Sequence, residues 1–181
     1  MNRHSNIILI GMPGAGKSTA GVLLAKRLSK RFIDTDLIIQ HRQNKSLQDI
    51  IDQSGYLALR FVEEEIICSL RVRNSVVATG GSAVYSEKAM EHLRQRGVLV
   101  YLQLGMDEVR SRIRNFSTRG IARPPHQTFR RLFAERTRLY RMYADSMVDC
   151  GGITPEDVCD RVEAQLPKMD RMGRMPESQV D

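Results

Sequence analysis

Residues 11–19 read Gly-Met-Pro-Gly-Ala-Gly-Lys-Ser-Thr, which matches the pattern G-x-x-x-x-G-K-[S/T] at every position. The short apolar run Asn6–Ile10 before it predicts a buried strand, and the apolar spacing over Ser18–Ser29 predicts a helix after it. Between a strand and a helix, such a glycine-rich loop curls its backbone N–H groups around a phosphate at the positive end of the helix. The pattern therefore predicts an α/β domain that binds a nucleoside triphosphate.

Each residue of this loop has an expected task. Lys17 is expected to reach the β- and γ-phosphates as a catalytic cation, and the Ser18 hydroxyl is expected to bind Mg²⁺. The residues expected to bind the nucleotide are Gly14, Ala15, Gly16, Lys17, Ser18 and Thr19. The alternative, a chance glycine-rich turn before a helix, is disfavoured by the complete match in the required context.

Further predicted strands alternate with predicted helices along the chain. The strands are expected at Phe32–Ile33, Ser75–Thr79, Val98–Leu102 and Met147–Val148. This alternation indicates a parallel sheet covered by helices on both faces, whose ligands bind at the carboxyl ends of the strands. The length of 181 residues fits one domain, which we place at residues 1–166, followed by a polar and flexible tail at 167–181.

Two acidic residues follow the second predicted strand, in the sequence Asp34-Thr35-Asp36. On an extended segment, acids two residues apart point the same way, towards the ligand. One is expected to hold Mg²⁺ through water and the other to accept hydrogen bonds from substrate hydroxyls. The alternative is that Asp36 is the N-cap of the helix predicted over Leu37–Arg42.

An arginine and a glycine turn complete the candidate acceptor site. Arg60 lies on a helix predicted over Leu57–Leu70, and Glu63 at i+3 is expected to hold it against a substrate carboxylate. The alternative is a surface ion pair. Gly80-Gly81 at a strand end would let backbone N–H groups approach a substrate oxygen, or would simply form a tight turn.

Positive charge is concentrated in one stretch of the chain. Between Arg110 and Arg141 there are ten arginines, no lysine and one acid, Glu135, within a chain of net charge +7. Arginine grips phosphate and carboxylate through its planar fork, so we expect a few of these residues to contact ligand on a lid at about 114–127. The alternatives are a solvated basic face and an RNA-binding surface, although the nearby aromatic residues have the spacing of core positions.

Cysteine usage and hydropathy indicate the cellular compartment. The three cysteines form no CxxC pair, and no apolar run approaches the roughly 20 residues that span a bilayer. We therefore expect a cytoplasmic protein that does not bind a membrane. We also expect no binding of nucleic acid, since no aromatic pattern for base stacking accompanies the arginines.

Taken in order, these motifs resemble those of the shikimate kinase family from about Asn6 to Leu166. The resemblance implies a P-loop NTPase fold, three-layered α/β/α, with a five-stranded parallel sheet of order 2-3-1-4-5 and an Arg-rich lid. It also implies an enzyme of aromatic amino acid biosynthesis that uses ATP as co-substrate and Mg²⁺ to phosphorylate the 3-hydroxyl of shikimate. We further expect the protein to be a monomer.

The resemblance also assigns roles to residues. Asp36 would bind the ring hydroxyls at the centre of catalysis, Arg60 and Arg136 would clamp the carboxylate, and the Gly81 backbone would contact substrate. Asp34 would lie near the waters of Mg²⁺, and Arg123 would close with the lid onto the nucleotide and the migrating phosphoryl group.

The chain departs from the family pattern at Ser82, at Pro125-His126 and at Cys150–Ile153. The acceptor is therefore open between shikimate, another polyhydroxy acid and a nucleoside monophosphate. A non-catalytic nucleotide-dependent regulator is the alternative of another class.

Overall fold

A computed structural model describes residues 6–113 and 120–166. The predicted tail at 167–181 and the first part of the predicted lid, 114–119, lie outside the described residues.

Five parallel strands form one sheet in the order β2-β3-β1-β4-β5, which confirms the expected topology. The strands are β1 (Asn6–Ile10), β2 (Arg31–Asp34), β3 (Ser75–Ala78), β4 (Gly97–Gln103) and β5 (Ser146–Asp149). Every residue of β1 is buried, because strands flank it on both edges and helices cover both faces of the sheet. The central strand therefore delivers the glycine-rich loop to the middle of the ligand edge.

Helices pack on the two faces of the sheet. They are α1 (Lys17–Arg27), α2 (Thr35–Gln43), α3 (Leu47–Ser69), α4 (Glu87–Arg94), α5 (Met106–Arg112), α6 (Phe129–Tyr143) and α7 (Pro155–Glu163). Helix α1 packs against α7, whereas α3 packs against α2 and α4. Thr154 caps α7 and Pro155 occupies its first turn.

The region around α2 and α3 differs from the prediction. Asp34, not Asp36, is the N-cap of α2, and its side chain accepts a hydrogen bond from the backbone N–H of Asp36. The expectation of an extended acidic segment is therefore wrong, since Asp36 lies in the first turn of a helix. The helix expected over Leu57–Leu70 instead begins earlier, at Leu47, as part of α3, which is kinked at Gly55; the φ of 83° at this position favours glycine.

Two apolar clusters position the ligand edge. The larger one surrounds the sheet and includes Tyr101 of β4 stacked on Tyr140 of α6, with ring centroids 5.0 Å apart. The smaller one lies beneath α2 and α3 and includes Ala122, which belongs to the segment predicted as the lid. Each fully buried leucine or isoleucine contributes roughly 2 kcal/mol, so both α6 and residues 120–122 are firmly placed.

Across residues 6–113 and 120–166, none of the helices combines the length and apolar character needed to cross a membrane.

Candidate active site

A cavity of about 410 Å³ opens at the carboxyl edge of the sheet. Its walls come from the glycine-rich loop, the start of α2, the middle of α3, the turn after β3, residues 120–122 and α6. The polar groups that line it are Lys17, Ser18, Thr19, Asp36, Glu63, Thr79, Ser82, Arg112 and Arg136. Parts of the chain more than 100 residues apart in sequence thus meet in one volume.

The glycine-rich loop is curled as its sequence requires. Gly14 and Gly16 have φ values of 82° and 84°, in the left-handed region that side chains avoid, and α1 begins directly after them at Lys17. The Lys17 ammonium donates hydrogen bonds to the carbonyl oxygens of Gly11 and Met12, at 2.8 and 2.9 Å. Burial lowers the pKa of Lys17 to about 8, an effect that the charges of Asp36 and Asp34 oppose.

A hydroxyl and a carboxylate meet beside this loop. The Ser18 hydroxyl donates a hydrogen bond to Oδ2 of Asp34 at 2.6 Å. Oxygen ligands of this kind suit Mg²⁺, which takes one or two protein ligands together with phosphate oxygens and water. The described part of the chain contains no cluster of three or more His, Cys, Asp or Glu side chains that would form an all-protein metal site. The donor set therefore fits a nucleotide-bound Mg²⁺.

Two carboxylates press against the turn that follows β3. A Cβ atom added at Gly80 would clash with Oε1 of Glu63 and lie 2.6 Å from Oδ1 of Asp36, so any side chain there would have to displace these carboxylates. Burial raises the pKa of Asp36 to about 6 and that of Glu63 to about 7, the latter also through repulsion from Asp36. Two acids with raised pKa values at the wall of a cavity are typical of a functional site.

Glu63 does not hold Arg60, so the expected i+3 pair is wrong. The Ser82 hydroxyl donates to Oε2 of Glu63 at 2.5 Å, and both residues are buried. Arg60 instead lies with its guanidinium carbon 3.6 Å from the ring centroid of Tyr85, and its Nη2 donates a long hydrogen bond of 3.4 Å to the Ala122 carbonyl oxygen. Sequence reasoning missed Tyr85, although its place just after the Gly80-Gly81 turn puts it at the ligand edge.

Arg136 lies in the wall of the cavity and is only 1% exposed. Its Nη2 donates to the Ala122 carbonyl oxygen at 2.7 Å. A Cβ atom at Gly81 would lie 2.9 Å from Nη1 of Arg136 and 2.8 Å from Cδ of Pro13. Gly81 therefore lies directly between the Arg136 guanidinium and the glycine-rich loop. The hydroxyl of Tyr140 donates to the Gly81 carbonyl oxygen at 2.7 Å and fixes the turn.

The two guanidinium groups retain unused donors. The Nε atoms of Arg60 and Arg136 are buried and have no hydrogen-bond partner among the described residues. Among the described residues, no ion pair involves Arg60 or Arg136. Two neighbouring cations without a carboxylate partner form a suitable site for a bound carboxylate.

Arg123 is not among the residues that line the main cavity. Its Nη1 donates to the Gln127 carbonyl oxygen at 2.8 Å, and its side chain lines a second cavity of about 280 Å³ beside Tyr56 and Pro125. Its expected role at the nucleotide stays a prediction. Arg112 of α5, which sequence reasoning did not single out within the arginine-rich stretch, lines the main cavity instead and forms an ion pair of 2.6 Å with Glu108.

Comparison with known proteins agrees with this geometry. The family model for shikimate kinase matches residues 13–167. The chain belongs to the shikimate kinase family. A shikimate kinase of Paracidovorax citrulli is 40% identical over 148 residues, which cover 79% of this chain and 81% of that protein. A shikimate kinase of Nitrosospira multiformis is 36% identical and covers 93% of this chain and 88% of that one.

A solved shikimate kinase shares the whole architecture. The enzyme from Acinetobacter baumannii, whose structure was determined in complex with shikimate, aligns with a TM-score of 0.83 at 29% identity. The alignment covers 92% of this chain and 94% of that one. Membership of the shikimate kinase family thus confirms the expected fold class.

Proposed function

We propose that the chain transfers the γ-phosphoryl group of ATP to the 3-hydroxyl of shikimate, releasing ADP and shikimate 3-phosphate. The observation that carries the proposal is the meeting of the phosphate loop, Asp36, Glu63 and Arg136 around one cavity of about 410 Å³. Carboxylates suit the hydroxyl groups of a polyhydroxy acid, and arginines suit its carboxylate.

Arg60 and Arg136 would hold the acceptor by its carboxylate. Both guanidinium groups donate to the same carbonyl oxygen, that of Ala122, which brings them side by side with buried Nε donors left over. A substrate carboxylate supplies the negative charge that this pair of cations lacks. The Gly81 backbone, pressed between Pro13 and Arg136, would line the acceptor beside the phosphate loop.

Asp36 would bind and orient the reacting hydroxyl. The hydroxyl oxygen forms a bond to phosphorus as the bond from phosphorus to the β-phosphate oxygen breaks, and Asp36 accepts the hydroxyl proton. A loose transition state does not require early proton removal, so the main work of Asp36 is positioning. Its raised pKa, about 6, leaves the carboxylate ionised at neutral pH and basic enough to take that proton.

The phosphate loop would hold the nucleotide. Lys17 supplies a cation beside the β- and γ-phosphates, while the backbone of Gly14, Ala15 and Gly16 and the N-terminus of α1 surround them, with the Ser18 and Thr19 side chains beside them. Ser18, and Asp34 through water, would hold Mg²⁺, which neutralises charge on the phosphate oxygens when bound. Lid closure that carries Arg123 inward would exclude water from the site.

A coupled ADP-release assay with shikimate, ATP and Mg²⁺ tests the proposal. We expect turnover with shikimate and none with nucleoside monophosphates. Arg60→Ala should raise the KM for shikimate at least tenfold and leave the KM for ATP within twofold. The matched control is Arg138→Ala, which removes an exposed charge from the same helix as Arg136. Turnover with a nucleoside monophosphate and none with shikimate would refute the proposal.

We also propose that the enzyme acts as a monomer, because the phosphate loop, Asp36 and Arg136 of one chain already surround the cavity. Size-exclusion chromatography with light scattering tests this, and activity confined to a dimer peak would contradict it.

A further inference from the structure

Tyr85 lies between the two arginines of the acceptor site. It ends the short 3₁₀ turn Ala83–Tyr85, which directly follows the glycine turn after β3. The guanidinium carbon of Arg60 is 3.6 Å from its ring centroid, and that of Arg136 is 5.4 Å from the same centroid. One aromatic ring is therefore shared by both cations.

The distance from Arg60 to the ring is that of direct contact between a planar cation and an aromatic face, an arrangement that stabilises the cation. Tyr56, one helical turn earlier on α3, lies at 5.2 Å and flanks the same guanidinium. A guanidinium group forks onto a carboxylate with its edge, in its own plane. Contact with the ring face therefore fixes that plane and leaves the edge for the ligand.

Tyr85 also offsets the repulsion between the arginines. Burial lowers the pKa of Arg60, and the nearby charge of Arg136 lowers it further, whereas Tyr85, Tyr56 and Glu135 raise it. The electron-rich ring face and the shared Ala122 carbonyl oxygen lie against both cations, which form no ion pair among the described residues. Glu63, the other candidate for this task, is engaged by Ser82.

We propose that Tyr85 is a positioning residue that selects acceptors carrying a carboxylate, by fixing the guanidinium plane of Arg60 beside Arg136. The proposal rests on the proposed function, because it takes these arginines to bind the substrate carboxylate. If Tyr85 only filled space, its loss would affect charged and uncharged acceptors alike.

The test compares Tyr85→Phe, which keeps the aromatic face, with Tyr85→Leu, which removes it. Loss of one cation–π contact predicts that Tyr85→Leu raises the KM for shikimate about 5- to 20-fold, while Tyr85→Phe stays within about twofold. The kcat and the KM for ATP should change by less than about twofold in both variants, since Tyr85 is not among the residues that line the cavity beside Lys17 and Asp36. Calorimetric titration of shikimate into each variant should show the same ranking of Kd without turnover.

The methyl ester of shikimate separates positioning from packing. It lacks the negative charge, so the 5- to 20-fold difference between Tyr85→Leu and the parent should shrink to about twofold or less. Thermal unfolding reports whether Tyr85→Leu folds, and Tyr85→Met replaces it if it does not.

The outcomes are distinguishable. A parent enzyme that neither binds nor phosphorylates shikimate overturns the proposed function and this inference with it. An active parent whose KM and Kd for shikimate are unchanged in the Leu or Met variant overturns only the inference. An equal loss with shikimate and its methyl ester also overturns it, because the ring would then act through packing alone.

Discussion

Gly80→Ala adds one methyl group at the point where two site carboxylates meet the backbone. The new Cβ would lie 2.0 Å from Oε1 of Glu63 and 2.6 Å from Oδ1 of Asp36. The φ of Gly80 is outside the left-handed region, so alanine is acceptable to the backbone and the effect comes from space alone.

The size of the effect follows from these distances. Oε1 of Glu63 must retreat by roughly 1 Å or more before the contact becomes an ordinary one. Glu63 is 3% exposed and accepts a hydrogen bond from Ser82, so its carboxylate can retreat only by displacing other buried side chains of the site. Overpacking of this kind costs about 2 kcal/mol. The new Cβ also crowds Oδ1 of Asp36, the carboxylate proposed to orient the reacting hydroxyl, and a displacement approaching 1 Å there lowers kcat/KM by roughly 100-fold.

Thermal unfolding and steady-state kinetics measure the two effects. A loss of about 2 kcal/mol in a domain of this size lowers Tm by roughly 4 to 8 °C. The KM for ATP should stay within about twofold, because the phosphate loop is separated from Gly80 by Gly81. The matched control is Gly105→Ala, where a Cβ meets no atom within 4 Å and φ is −64°.

A Gly80→Ala enzyme with the Tm and kcat/KM of the parent would refute the reasoning. It would mean that neither Asp36 nor Glu63 rests against the turn after β3 and that the acceptor site is not built around it.

Three further predictions follow from the same site. Lys17→Met should abolish turnover while leaving Tm within a few degrees, and a Lys17→Met enzyme with measurable ADP release would contradict its role as the phosphate cation. Because burial raises the pKa of Asp36 to about 6, kcat/KM for shikimate should fall as the pH drops below about 6, and a flat rate profile from pH 5 to 8 would argue against Asp36 as the hydroxyl partner. Burial also raises the pKa of Glu63 from its ordinary 4.5 to about 7, so the folded state binds more protons than the unfolded state between these values. The contribution of Glu63 to stability is therefore lost as the pH rises from about 4.5 to about 7, and urea unfolding at pH 5 and pH 7.5 should show a smaller difference for Glu63→Gln than for the parent.

The parts of the site that depend on local sequence were predictable. The curl of the phosphate loop requires glycine at fixed positions, and Gly14 and Gly16 adopt the left-handed φ values that only such residues accept readily. The order of strands and helices likewise follows from short apolar runs, and the ends of parallel strands share one edge. Asp36 and Gly81 therefore line the cavity at the carboxyl edge of the sheet, as expected for residues that follow strands. The expected extended conformation of the acidic segment was nevertheless wrong.

The pairings between distant elements were not predictable from spacing. Glu63 is three residues from Arg60, which favours a local ion pair, but the packing of α3 against the turn after β3 supplies better partners. Ser82 takes the carboxylate and Tyr85 takes the guanidinium. Both partners lie about 20 residues farther along the chain, and only the tertiary fold decides that they face α3.

A crystal structure of the enzyme with shikimate, ADP and Mg²⁺ tests the central claim most directly. The account predicts that the carboxylate contacts both Arg60 and Arg136, that a ring hydroxyl donates to Asp36, and that this hydroxyl points at the phosphate loop. Shikimate bound with its carboxylate away from both arginines, or outside the cavity that Lys17 lines, would contradict the account.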